Sequence, residues 1–390
     1  MPQAFTLRPR EAREWMGILE RSCGFDFYHT PGYHALAEAR GEGEGWLLGV
    51  EDAGELVAVP LLLRRIAGAE GAADGSATAA GDPGWRDATS VYGYPGPVAT
   101  RPDPPAALLA AFRAALTAEL GRRGVVAVFS RLHPLLDQPA LLTGLGDVVP
   151  GGETVSIDLT LPAAERRRRY RTSHRYDIDR LLRRGLIGAP DLERRHLDAF
   201  VALYGQAMDR VGGGAEHRFA RGDLERLLAV PEAAAVLMVC RAAGDRPRAA
   251  AAGPACAGIF LSCRGIAQYH LAATAPAFER WSPLKLLIDA AAEHAAAGGA
   301  RVLHLGGGVG GADDGLLHFK RGFSDRRHRF ATWRWVVDPA AYRELCRRRG
   351  VPAEAAADPA HGYFPAFRAP AARPTSEPAP AAVADAGVPA

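Results

Sequence analysis

Lysine is almost absent from this 390-residue sequence: Lys285 and Lys320 are the only two, and every other Lys/Arg position is arginine. Arginine has taken over wherever the two cations are interchangeable, so the remaining lysines mark positions that want a compact ammonium rather than a planar fork. Lys320 lies in the segment HFKRGFS, residues 318–324. On a short helix Phe319 and Phe323 stand one turn apart and bury one face, which predicts that Lys320 sits at the margin of that face. A fixed ammonium there suits one chemistry, stabilisation of the oxyanion that forms when an amine attacks an ester or thioester, an effect on the order of 3 kcal/mol. Asp313 and Asp314, just upstream, are expected to cap the helix start.

Other chemistries find less support. There is no G-x-S-x-G elbow, and none of the five cysteines (Cys23, Cys240, Cys256, Cys263 and Cys346) has a C-x-x-C partner, a zinc-finger spacing or a recognisable histidine context. Covalent catalysis, structural zinc and a disulfide framework are therefore not expected, and direct attack of a bound amine on a bound acyl donor fits better. The run GGGVGG places Gly306, Gly308 and Gly311 at G-x-G-x-x-G spacing after an apolar run. A dinucleotide site there would need a following βαβ unit and an acidic residue closing the next strand, and the sequence offers neither. A turn that lets backbone approach a ligand or another strand is the better use of these glycines.

Two further segments present candidate binding groups. ERRRRYRTSHRYDIDRLLRRG, residues 165–185, reads as an amphipathic helix with Tyr170, Ile178, Leu181 and Leu182 inward. Its arginines, interleaved with Tyr170, His174 and Tyr176, equally suit phosphate and base contacts on an RNA end or a nucleotide-linked substrate. In Tyr92-Gly93-Tyr94-Pro95-Gly96-Pro97 two phenols alternate with small residues ahead of a stiff turn, so one strand face could offer them to a cleft.

The elements that must position these groups repeat coarsely. In the first half residues 45–50 and 56–64 read as a hairpin, 87–99 as a third strand, Pro104 to Leu120 as a helix and 125–130 as a strand. In the second half 234–240, 256–263 and 266–274 read as strands. Ser282 to Ala297 follows as a helix, with Ser282 as N-cap and Pro283 at its first position, and then 301–306 as a strand. The order of three strands, helix and strand recurs at a spacing of about 175 residues. Helices fill the join, Pro162 to Gly185 and His196 to Arg210. The expectation is an α/β (α+β) fold of two similar domains, residues 1–160 and 161–345, each a mixed sheet flanked by helices. Residues 67–83 read as a linker and 352–390 as a disordered Pro/Ala-rich tail. The formal charge is +3, too mild to announce a nucleic-acid binder by itself. Sparse cysteine, no signal-peptide core and no long apolar stretch predict a reducing, cytoplasmic location without a membrane span.

Three segments together, Y-G-Y-P-G-P in the first half, R-T-S-H-R-Y-D-I entering the second, and L-H-L-G-G-G followed by H-F-K-R-G-F, resemble the FemABX-like branch of the GNAT acetyltransferase superfamily. The resemblance spans roughly residues 15–340 and implies two tandem GNAT-like domains. It implies transfer of an aminoacyl group from aminoacyl-tRNA, as co-substrate, to an amine on a peptidoglycan precursor (a UDP-linked peptide) or an amine-bearing metabolite, with no tightly bound cofactor. By position, Lys320 would be catalytic, with Phe319, Phe323 and Lys285 at the acyl donor. Tyr92, Tyr94, Arg171, Arg175, Tyr176, Tyr269 and His270 would bind substrate. An acetyl-CoA donor is the alternative, and it would call for a glycine-bearing loop before a helix to cradle the pyrophosphate. The matching segments, APAFERW before Ser282 and ATRPDPP before Ala106, contain no glycine. A non-catalytic GNAT-like module that binds RNA or a nucleotide through the arginine segment is the reading from a different class.

Overall fold

A computed structural model describes residues 1–66, 84–212, 214, 218–243 and 253–370. The chain divides into two units. Met1–Gly151 and the described residues from Phe330 to 370 form the first, and Gly152–Arg329 the second.

The first unit opens with β1 (Gln3–Leu7), α1 (Ala12–Arg21), α2 (Pro31–Ala39), β2 (Glu44–Asp52) and β3 (Glu55–Arg65). It continues with β4 (Arg86–Thr89), β5 (Val98–Ala99), α3 (Ala106–Arg122) and β6 (Val125–Arg131). The sheet order is β1-β2-β3-β4-β6, with β5 also on β3, and β13 (Arg327–Val336) returns late in the chain to pair antiparallel with β6. β3 is buried along eight consecutive residues, which makes it a strand covered on both faces. Leu108, Phe112, Leu116 and Leu120 of α3 pack on Val57, Val59, Leu61 and Trp333. The third predicted strand is shorter than expected: β4 stops at Thr89, and Gly93 (φ 127°) and Gly96 (φ 63°) bend the segment before β5. Gly96 has a further reason to lack a side chain, because a Cβ would lie 2.1 Å from the Gln138 amide oxygen.

β7 (Asp147–Asp158) leads into the second unit, where α4 (Ala163–Arg169), α5 (Thr172–Arg183), β8 (Leu186–Pro190), α6 (Leu197–Val211) and α7 (Arg221–Leu227) follow. β9 (Ala234–Ala242), β10 (Cys256–Cys263), β11 (Ile266–Thr274), α8 (Leu284–Ala297), β12 (Val302–Gly307) and α9 (Gly315–Lys320) complete it. The order is β7-β12-β11-β10-β9-β8, with β11 and β12 parallel and every other pair antiparallel. In the first unit β4 and β6 are likewise parallel and the helix α3 bridges them, just as α8 bridges β11 and β12. The repeated strand-helix-strand order in the sequence thus corresponds to a repeated parallel pair.

Several local expectations need correction. The join helix is two helices, because Tyr170 and Arg171 are extended (ψ 146° and 144°) and Arg171 N–H bonds to Gly322 instead of continuing the turn. Ser282 is not an N-cap: it sits at φ 49°, and Pro283 occupies the cap position. The predicted linker 67–83 lies outside the described residues. So does 371–390, but 352–370, expected as disordered tail, is built into the first unit. There α10 (Pro339–Arg348) and α11 (Ala353–Ala357) lead to Phe364, Ala366 and Phe367, which are buried against Tyr342 and Cys346, and Tyr342 Oη accepts from Ala366 N–H at 3.0 Å. The two buried aromatics are joined by Arg368, which pairs with buried Asp87, and by Arg334, which donates to the Pro359, Ala360 and Gly362 carbonyls.

Candidate active site in the second unit

β11 and β12 pair over Ile266↔Val302, Ala267↔Leu303 and Gln268↔His304 and, among the described residues, no further, although β11 runs to Thr274 and β12 to Gly307. The two strands therefore fork while both remain buried. Such a fork lets an extended ligand lie against strand backbone, the way a peptide adds to a sheet edge.

Lys320 stands at this fork. The last residue of α9, it is fully buried, and its Nζ donates to Gly307 O at 2.6 Å and lies 5.8 Å from the centre of the Tyr269 ring. One ammonium thus touches both diverging strands. Burial pulls its pKa down to about 7, with Asp314 opposing weakly. Two expectations change: Lys320 is not at the margin of the aromatic face, and it is not a fixed charge but a group that titrates near neutrality. A side chain at position 306 would put its Cβ 3.3 Å from Nζ, and Gly306 holds φ 74°, so glycine both permits the turn and clears the flank of the ammonium.

The aromatic half of the motif serves α5. Phe319 and Phe323 pack edge to face at 5.5 Å, and the His174 ring lies 5.5 Å from Phe319 and 4.7 Å from Phe323. His174 Nε2 bonds to Phe319 O at 2.9 Å, and burial, reinforced by Lys285, pushes its pKa down to about 4, so Nε2 of a neutral ring is the donor. A Cβ on Gly322 would lie 2.2 Å from that nitrogen. The spacing F-K-x-G-F is thus a docking pattern: the phenylalanines and glycine receive α5, and the lysine turns the other way, to β12. Asp314 caps α9 through Leu317 N–H and also accepts from Val309 N–H, whereas Asp313 pairs with Arg321.

The remaining candidates distribute as follows. Arg171 donates to His318 Nε2 at 2.7 Å, beside the motif; Arg175 and Tyr176 are exposed on α5 and Arg175 donates to Thr172 Oγ1. Lys285 is bound to Asp177 at 2.7 Å, tying α8 to α5 with its charge already met. Tyr269 is a wall of the Lys320 site, while His270 projects from the opposite face of β11, 6.4 Å from Phe219. Tyr92 and Tyr94 belong to the first unit. Tyr94 is buried against Tyr28 and Phe330, and burial lifts its pKa to about 12, so this phenol is core rather than cleft. Tyr92 is half-buried, and its carbonyl accepts from Tyr33 Oη.

Sequence reasoning missed two buried polar groups. In the first unit Asp26 accepts from Tyr28 N–H at 3.0 Å and meets His29 Nδ1 at 3.1 Å and His133 Nε2 at 3.0 Å. Burial alone would raise its pKa, but His133 and His29 hold it well below the usual carboxylate range. Gln138 joins this network to the Pro95 carbonyl at 2.7 Å and so fixes the Tyr92–Pro97 segment. In the second unit His304 Nδ1 meets Gln268 Oε1 at 2.8 Å. A polar residue interrupting each of two apolar strands was the available signal; the pairing needed the register.

The loop ahead of α8, Pro276–Trp281, is a 3-10 turn with Phe278 and Trp281 in edge-to-face contact, not an open glycine cradle. GGGVGG does not open a βαβ unit: Val309–Gly311 make one 3-10 turn and α9 is six residues long. Gly307 instead gives β12 close approach to β7, since a Cβ there would lie 2.5 Å from Glu153 O. Among the described residues no helix is long and apolar enough to cross a membrane.

Residues 164–321 match the family model described as an acetyltransferase (GNAT) domain. A comparison with curated proteins gave no match. Among solved structures, the crystal structure of FemX is similar over 88% of this chain and 99% of that chain, with 11% sequence identity and a TM-score of 0.63. L-PGS from Bacillus licheniformis (14% identity, 87% and 97% coverage, TM-score 0.49) and a tandem GNAT protein from the clavulanic acid biosynthesis pathway (11%, 86% and 98%, 0.45) are more distant in shape. With its fork and its match over residues 164–321, the second unit carries a GNAT acetyltransferase domain, and the chain as a whole has the fold of FemX.

Proposed function

We propose that the protein is an N-acyltransferase that moves an aminoacyl group from aminoacyl-tRNA to the amine of a peptidoglycan precursor, or of an amine-bearing metabolite, in the cytoplasm. The observation that carries this reading is Lys320, a buried ammonium spanning the fork of β11 and β12. An acyl group lying in the fork places its carbonyl oxygen within reach of Nζ. As the amine attacks, the N–C bond forms and charge collects on that oxygen, where the ammonium stabilises it. The C–O bond to the donor then breaks, and a lysine with a pKa of about 7 surrenders its proton to the leaving oxygen far more readily than an ordinary lysine does.

The donor assignment rests on two features. The loop before α8 lacks the glycines that would cradle a pyrophosphate and is filled by Phe278 and Trp281. The helices α4 and α5 and the short join between them carry arginines from Arg166 to Arg183, of which Arg168, Arg169, Arg171, Arg175 and Arg183 are exposed and suited to phosphate.

The test supplies alanyl-tRNA or acetyl-CoA with UDP-N-acetylmuramoyl-pentapeptide as acceptor and follows amide formation by mass spectrometry. Transfer from alanyl-tRNA is expected, with Lys320→Ala reducing kcat by about 100-fold or more at nearly unchanged tRNA affinity. Transfer from acetyl-CoA with indifference to tRNA overturns the donor assignment. Tight tRNA binding with no turnover in either variant leaves a non-catalytic RNA-binding module.

A further inference from the structure

Amide formation leaves one proton to be removed from the attacking nitrogen, and Lys320, protonated in its role above, is not the group to take it. Gln268 and His304 are 1% exposed each and face one another directly in the parallel register, in the last pair before β11 and β12 part. Their contact fixes the chemistry of the ring. A glutamine Oε1 can only accept, so the 2.8 Å contact puts the proton on His304 Nδ1 and leaves the lone pair on Nε2. Because Gln268 and Tyr269 are consecutive strand residues, they point to opposite faces. Tyr269 lies on the face of Lys320, so the imidazole stands across the fork from the ammonium.

The same face holds a way out for a proton. His304 is also in register with Ser156 on β7, and directly opposite side chains in a sheet stand about 5 Å apart at Cβ. Ser156 Oγ is 2.8 Å from His328 Nε2, and His328 is only half-buried. Gln268, His304, Ser156 and His328 therefore form a polar row from the apex of the fork to solvent. His270, two residues beyond Gln268 on β11, is a further buried titratable group on this face. Such a row through an otherwise apolar sheet costs stability relative to packed aliphatic residues, which is a reason to look for chemistry in it.

We propose that His304 is the proton acceptor of the acyl transfer, with Gln268 as the residue that fixes its tautomer. The assignment rests on the acyltransferase reading above. As the amine nitrogen bonds to the acyl carbon, its proton passes to His304 Nε2 and then along Ser156 and His328 to solvent. The donor's oxygen leaves with the acyl C–O bond pair and is protonated from the Lys320 side.

The experiment uses the full chain with alanyl-tRNA and UDP-N-acetylmuramoyl-pentapeptide, acetyl-CoA being run in parallel. His304→Gln keeps the volume and a bond to Gln268. It is expected to lower kcat by about 100-fold or more, within the usual range for a lost general base, with KM for both substrates within about twofold. It is also expected to abolish the acid limb of the pH–kcat profile. Gln268→Glu, which sets a carboxylate against Nδ1–H, is expected to move that limb to higher pH, and it serves as the deciding variant if His304→Gln does not fold. A His304→Gln enzyme within about threefold of wild type, or one that keeps the limb, or an unmoved limb in Gln268→Glu, overturns the assignment. If Lys320→Ala is dead while His304→Gln is active, the acyltransferase reading survives and this inference alone fails. A wild-type chain inert with both donors removes both.

Discussion

Replacing Lys320 by methionine tests the central electrostatic claim without any knowledge of substrate. Folding carries this side chain from water, where a lysine titrates in its ordinary range above pH 10, into a site where burial holds it at about 7. The folded state therefore binds fewer protons than the unfolded chain between those two values, and stability must rise with pH across that window. A displacement of roughly 3 pH units at about 1.4 kcal/mol each is on the order of 4 kcal/mol. Below pH 7 the wild type bears nearly all of that cost, whereas near pH 10 it bears almost none. Lys320→Met removes the cost but orphans the Gly307 carbonyl, a loss of about 1–3 kcal/mol. The variant is expected to be more stable than wild type at pH 6 by about 2 kcal/mol, and equal or less stable at pH 10. Urea denaturation followed by tryptophan fluorescence at pH 6, 8 and 10 reads the crossover. A wild type whose advantage or deficit relative to the variant is flat from pH 6 to 10 refutes the buried, titrating ammonium.

Other expectations follow from neighbouring contacts. Gly322→Ala pushes a methyl into His174 Nε2 and should cost about 2 kcal/mol by urea denaturation; adding His174→Ala should recover part of it, and strict additivity would show that the two do not touch. Asp26→Asn sets an amide N–H against a carboxylate site built from donors, and a loss of about 3 kcal/mol at pH 7 is expected. Because Asp26 is held low in the folded state, its contribution is full above the ordinary carboxylate range and fades as pH falls below it, so the gap between wild type and variant should close toward pH 3 in chemical melts. A double-mutant cycle on Lys285 and Asp177 should give about 1 kcal/mol of coupling that shrinks in 0.5 M salt; a much larger effect on turnover than on stability would mean that Lys285 meets the donor after all.

The history of one motif shows what the sequence could and could not reveal. Periodicity found the aromatic face of HFKRGFS, because Phe319 and Phe323 bury themselves wherever the helix lies. It misjudged Lys320, since α9 ends at that residue and the direction of its side chain depends on Gly306 and Gly307, which lie on a strand 13 residues earlier. Apolar runs likewise placed β2, β3, β6 and β9 to β12, while β7 was missed: Asp147–Asp158 is half polar, with Pro150, Gly151 and Gly152 in its middle, and pairing rather than composition makes it a strand. Ser282 failed as a cap because the 3-10 turn before it forces a positive φ.

A physical rule connects these cases. Local signals report what a residue does within its own element, where the 3.6 or 2.0 period decides exposure. On the function proposed above, chemistry is made between elements, at the point where two parallel strands cease to pair. Lys320 reaches that point from a helix, and Gln268 and His304 reach it from the strands themselves. Each of the three reads alone as an anomaly, one surviving lysine and two polar residues in apolar runs. Register turns the anomalies into an arrangement: an ammonium on one face of the fork and an imidazole on the other, which under the proposed function is the minimum that an amine and an ester need in order to exchange a proton while a C–N bond forms.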